Sequence, residues 1–192
     1  RSKFYSSDRS SVIPFFNESQ QNQPKNSLYF QALSYVGGAY KSINNYDYAN
    51  ATRAQVFNSS RPMMASALFD YKPLDNASFL ALLKQEPNNS VKEAMYAMQG
   101  YYTNEFSAMQ DLYKLNPSSP HLDFLLSRWV NINEQSINVY NEYQKLDIDA
   151  QKVKKELKDK VNTQQLKWVN TLANDSKVYN PYIWKATAAY FN

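Results

Sequence analysis

The chain has 192 residues with 43% hydrophobic, 20% charged and 15% aromatic content, enough to bury a real core and too apolar for disorder through most of its length. Lys and Arg number 21 against 17 Asp and Glu, a formal charge of +4, which is too mild to require a polyanionic partner. No cysteine is present, which excludes disulfides, thiolate metal sites and cysteine nucleophiles. No apolar run reaches the roughly 18–20 residues that cross a bilayer.

In chain order, residues 1–26 read as a polar N-terminal lead-in or tether. Its only apolar patch, Val12, Ile13, Phe15 and Phe16, offers a means of docking. Arg1 in place of a methionine suggests a processed start, and with it a membrane tether through a removed N-terminal segment.

From Ser27 onward, apolar residues recur at helical spacing. Turn chemistry punctuates them at Asn44-Asn45, Pro62, Lys72-Pro73, Pro87-Asn88-Asn89, Pro117-Ser118-Ser119-Pro120 and the Asp147 region. The intervening lengths suit helices, and sustained strand alternation is missing, so an all-α fold is expected. "LLKQEPNNS" and "LYKLNPSSP" repeat one pattern, with Lys84 and Lys114, and Pro87 and Pro117, each 30 residues apart, and Lys145 lies about one period further on. Such self-similarity marks stacked helical hairpins.

Gly37 and Gly38 fall inside one of these helices although the chain owns only three glycines. Each costs about 1 kcal/mol against alanine, so close helix packing is the expected reason. Leu33, Val36, Gly37, Tyr40, Tyr46, Ala49 and Val56 follow an order of large, small and aromatic positions that resembles the tetratricopeptide repeat (TPR) over residues 29–62, and more loosely afterwards.

That resemblance implies a right-handed α-solenoid of antiparallel helical hairpins over 27–147, with a concave face that binds a protein or peptide. If Gly37 is aligned correctly, Gln31, Ser34 and Lys41 project toward that face. Arg53 stands where the family has an aromatic residue, and Gly100 is displaced toward a helix end.

Residues 148–192 read as C-terminal caps. Leu146, Ala150, Val153, Leu157, Val161, Trp168 and Leu172 form one stripe along a long helix that ends at Asn174-Asp175-Ser176, and Pro181 opens a last short helix. Six lysines between 151 and 168 meet only Glu156 and Asp159; without arginine or interleaved aromatics they read as a solvated face, and no nucleic acid is expected.

Chemistry-bearing patterns are sparse. His121, the only histidine, reads as a surface or capping residue, and Asp147 with Asp149 as turn chemistry. No G-x-S-x-G occurs, and no catalytic residue, metal site or cofactor is expected. The 16 tyrosines, Tyr40, Tyr46, Tyr140 and Tyr143 among them, sit mostly at core spacing. N-x-[S/T] sequons at Asn17, Asn50, Asn58, Asn76, Asn88 and Asn174 read as a by-product of an asparagine- and serine-rich surface.

The expected function is therefore a non-enzymatic protein–protein interaction scaffold. A glycan- or peptidoglycan-binding surface protein and an accessory helical domain of a larger enzyme are the alternatives. A periplasmic or cell-surface location in a bacterial envelope, as a lipoprotein, is the expectation, with a cytoplasmic adaptor the other reading.

Overall fold

The computed structural model describes residues 2–20, 23–136 and 150–192. The expectations for Arg1, Tyr140, Tyr143, Lys145, Leu146, Asp147 and Asp149 lie outside those residues. The fold is all-helical, with no strand among the described residues. Its helices are α1 (Val12–Ser19), α2 (Ser27–Ser42), α3 (Tyr46–Ser59), α4 (Met64–Asp70), α5 (Asn76–Gln85), α6 (Asn89–Thr103), α7 (Phe106–Leu115), α8 (His121–Ser136), α9 (Ala150–Lys160), α10 (Thr163–Leu172) and α11 (Pro181–Phe191). The chain divides into two compact units, Arg1–Gln99 and Gly100–Asn192, and the division falls within α6.

Asparagine does much of the punctuation. The side chain of Asn26 accepts from Leu28 N and Tyr29 N to open α2, and Asn45 accepts from Tyr48 N to open α3. Asn44 and Asn104 adopt the left-handed conformation usually left to glycine, at φ 60° and 57°, whereas no glycine among the described residues does. Glycine is thereby released for another use.

In unit 1, α2 and α3 form a hairpin closed by Asn45 N donating to Tyr40 O at 2.9 Å. Leu33, Val36 and Ala39 of α2 and Ala49, Ala54, Val56 and Phe57 of α3 are buried. Arg53 is buried as well, with only 4% of its surface exposed. Its Nη1 donates to Gly37 O at 3.2 Å and Ala49 O at 3.5 Å, and Nη2 lies 3.4 Å from Asp70 Oδ2. A buried guanidinium is tolerable only with its donors matched in this way.

Two further buried amides fix the extended link after α4. Asn50 donates to Lys72 O at 2.7 Å and accepts from Lys72 N at 3.2 Å. Gln99 pairs with both backbone groups of Leu74, at 2.6 and 3.1 Å, and accepts from the Tyr71 hydroxyl at 2.8 Å. These amides replace the ladder partners that an extended segment would otherwise lack. With its amide so engaged and 1% exposed, Asn50 is a buried structural group and not a surface sequon.

Short 3₁₀ turns at Lys3–Tyr5 and Arg9–Ser11 run into α1, which packs on α2 by burying Val12 and Phe16, while Phe15 stays 53% exposed. The apolar patch of this segment is large enough to dock, and the polar residues around it face water.

Unit 2 is built around aromatic rings. Trp129, Trp168, Trp184, Phe106 and Phe191 form a chain of edge and tilted contacts with centroids 4.9–6.1 Å apart. Trp129 Nε1 donates to Gln165 at 2.8 Å and Trp184 Nε1 to Asp123 at 3.0 Å. Burial raises the Asp123 carboxyl above its ordinary range, against the lowering effect of that indole bond. His121, expected to be a surface or capping residue, is buried at the start of α8.

The single helix expected from 146 to 172 is two, α9 and α10. Asn162 leaves the helix (ψ 113°), and its side chain accepts from Gln164 N and Gln165 N to start α10. A strong cap here outweighs the apolar stripe, which continues across the break with Leu157, Val161, Leu166, Val169 and Leu172 buried. Lys152, Lys155, Lys158 and Lys160 of α9 are exposed.

The glycines divide by use. A Cβ at Gly37 would lie 3.5 Å from Arg53 Nη1 and Thr52 Cγ2, an ordinary contact; at Gly38 it would lie 2.7 Å from the Phe4 ring, and at Gly100 2.8 Å from Ala108 Cβ and 3.2 Å from Leu125 Cδ2. Close approach is therefore demanded by Phe4 at Gly38 and by α7 and α8 at Gly100, while Gly37 lies over α3 without needing to be glycine.

Alanine at each position tests this division. Gly37→Ala should be neutral or stabilising by up to about 1 kcal/mol, and Gly100→Ala destabilising by about 1–3 kcal/mol. Because all three tryptophans lie in unit 2, urea titration of their emission reports the second, and amide exchange of α2 and α3 the first. Gly38→Ala should leave α2 folded but expel Phe4, exposing residues 2–11 to proteolysis; adding Phe4→Ala should remove the clash.

A second prediction concerns Asp123. A carboxyl raised in the fold adds stability below its unfolded pKa and loses it as pH climbs through the folded value, so at neutral pH its charge is a burden. Asp123→Asn keeps an acceptor for Trp184 and should hold or raise the melting temperature at pH 7, while Asp123→Ala should lower it.

Candidate functional site

A concavity of unit 1 follows from two helical stripes. Tyr29, Leu33, Val36 and Tyr40 recur at four, three and four residues and so share one face of α2. Asp47, Tyr48, Ala51, Thr52 and Gln55 do the same on α3. Phe16 and Asn17 of α1 close one side, and Leu82, Gln85, Glu86 and Pro87 at the end of α5 another, around a groove of about 430 Å³.

Its chemistry is mixed. Leu33 and Val36 make a buried floor. Tyr40 and Tyr48 stack with centroids 5.2 Å apart and planes 26° from parallel, and Tyr48 is 58% exposed. Burial, and secondarily Tyr48, raises the Tyr40 hydroxyl above its ordinary range, so it is a neutral hydrogen-bonding group at neutral pH. Phe16 and Tyr29 form a second ring pair at 5.5 Å.

Asn17, Gln55 and Gln85 supply amides, and Asp47 and Glu86 carboxylates. Glu86 Oε1 accepts from Asn88 N at 2.9 Å, which fixes the side chain across Pro87. Among the described residues lining the groove there is no histidine, lysine or arginine. Among the described residues no group of three or more His, Asp or Glu side chains is placed to hold a metal ion. This arrangement can cover apolar atoms, stack on flat groups and accept hydrogen bonds.

A second cleft of about 280 Å³ lies on the other side of α1, where Phe4, Val12, Phe15, Ala32 and Tyr35 meet; Phe16 walls both cavities.

Gln31, Ser34 and Lys41 line neither cavity. Gln31 and Lys41 are exposed, Ser34 is half-buried, and its hydroxyl donates to Gln31 O at 2.7 Å. Lys41 Nζ is 3.9 Å from Asp70 Oδ1. Their spacing places them on one stripe with Gly38, the very position that Phe4 covers. The groove is lined on α2 by Tyr29, Leu33, Val36 and Tyr40, three of which carry the resemblance at positions of expected core packing. Their aromatic content, with Tyr48 one turn into α3, was the signal available in the sequence.

No family model matches the chain, and no curated protein or solved structure matches it either.

Proposed function

We propose that the chain is a non-enzymatic binding module whose unit 1 groove takes a segment of a protein or peptide partner. The α2/α3 hairpin would be its TPR-like element within an α-solenoid. The observation that carries this reading is the groove itself: a buried aliphatic floor, a half-open pair of stacked tyrosines and amides from three different helices. Its volume of about 430 Å³ falls in the range of sites that hold small ligands or a few side chains. Tyrosines so placed give large contact area at small entropic cost.

The same rings could stack on a sugar, but the tryptophans that would strengthen a glycan site belong to the ring cluster of unit 2. Peptide is therefore the preferred ligand.

Blocking the groove is the direct test. Ala51 faces the cavity from α3, and Ala51→Trp should fill it without touching the buried Arg53 or Val56. Partners captured from the native host by the wild type should lose about tenfold or more in affinity for this variant, measured by calorimetry at unchanged melting temperature. Equal capture by both forms would place the partner surface elsewhere.

A further inference from the structure

We propose that the unit 1 groove selects polypeptide segments that carry lysine or arginine, with the cationic head held at the Tyr40/Tyr48 ring pair and Asp47 and Glu86 as its counter-charges. This rests on the groove being the partner site.

The first support is charge. The groove holds two carboxylates and, among the described residues lining it, no cation, in a chain whose formal charge is +4. Asp70 and Asp111 have ion partners in this fold; Asp47 and Glu86 have none among the described residues. Two carboxylates without an ion partner on one concavity raise the local concentration of cations and disfavour acidic segments.

The second support is the use the chain makes of its other rings. Lys72 Nζ sits 3.7 Å from the centre of the Tyr46 ring, and Lys3 Nζ 4.9 Å from that of Phe15. Over the Tyr40/Tyr48 pair no cation of the described residues is placed, although Tyr48 is more than half exposed. A ring face beside a negative field holds a cation by its quadrupole, and a lysine or arginine stem would cover the apolar floor of Leu33 and Val36. A neutral sugar would donate hydrogen bonds to the carboxylates but gain nothing from their charge, and a bare metal ion would leave the apolar floor uncovered. A basic peptide side chain uses both.

The experiment is selection of a random peptide display library on the intact protein, sorting the binders by whether Ala51→Trp abolishes binding. Groove-directed peptides should be enriched in lysine and arginine. They should bind the Asp47→Asn/Glu86→Gln double variant about tenfold more weakly at low salt, with the difference shrinking as salt rises from about 50 to 500 mM. Glu86→Gln alone, which retains the acceptor for Asn88 N, should give part of the loss and guards against a folding defect at Asp47. Groove-directed peptides without basic enrichment, or indifferent to the neutralised variants, would overturn this inference and leave the groove reading standing. Recovery of no groove-directed peptide would overturn both.

Discussion

One buried guanidinium organises unit 1. Arg53 enters from α3, reaches the Gly37 carbonyl of α2 and meets Asp70 at the end of α4, so that three helices share one polar joint inside an apolar contact. The cost of removing the charge from water is offset only while those partners hold their places. Such a joint sets rotation and register, which apolar contacts alone define loosely. Turn α3 about its axis and Arg53 loses Gly37; shift α4 and it loses Asp70.

The groove depends on that register. With Arg53 held against Gly37, the stripe from Tyr48 to Gln55 is brought alongside the stripe from Tyr29 to Tyr40, and Tyr48 falls onto Tyr40. The other walls are fixed by separate means: α1 by Val12 and Phe16, the link after α4 by the amides of Asn50 and Gln99, and the end of α5 by Glu86 and Pro87. Asn50, Gln99 and Glu86 use a side chain in place of regular backbone pairing. The concavity is a consequence of polar pins placed in a small helical core.

This arrangement also marks what could be read from the residues alone. Helix content and most turns were legible, because Asn45 and Pro181 are strong local signals that tertiary contacts do not overrule. The break at Asn162 was obscured by an apolar stripe that keeps its phase on both sides. The role of Gly37 was overstated: its place opposite Ala49 was readable, but whether a methyl would fit depends on distances that spacing does not carry. Gly38 and Gly100 owe their necessity to Phe4, Ala108 and Leu125, contacts distant in sequence or set by helix crossing. For the site, Leu33, Val36 and Tyr40 were recognisable as one face, but a face serves as core or as groove floor according to what lies opposite. Arg53 was visible only as a departure from the TPR pattern, and the departure proves to be the joint itself.

The most direct measurement is a double-mutant cycle on Arg53 and Asp70, using Arg53→Met and Asp70→Ala and reading the exchange of α2 and α3 amides. Asp70→Ala strands a guanidinium that is 4% exposed, while Arg53→Met leaves behind an aspartate open enough to rehydrate, 46% exposed. The account therefore predicts that Asp70→Ala costs more than Arg53→Met, that the double variant recovers part of the loss, and that the coupling is about 1–3 kcal/mol. Additive effects of a few tenths of a kcal/mol each would show that the buried arginine does not set the packing of these helices.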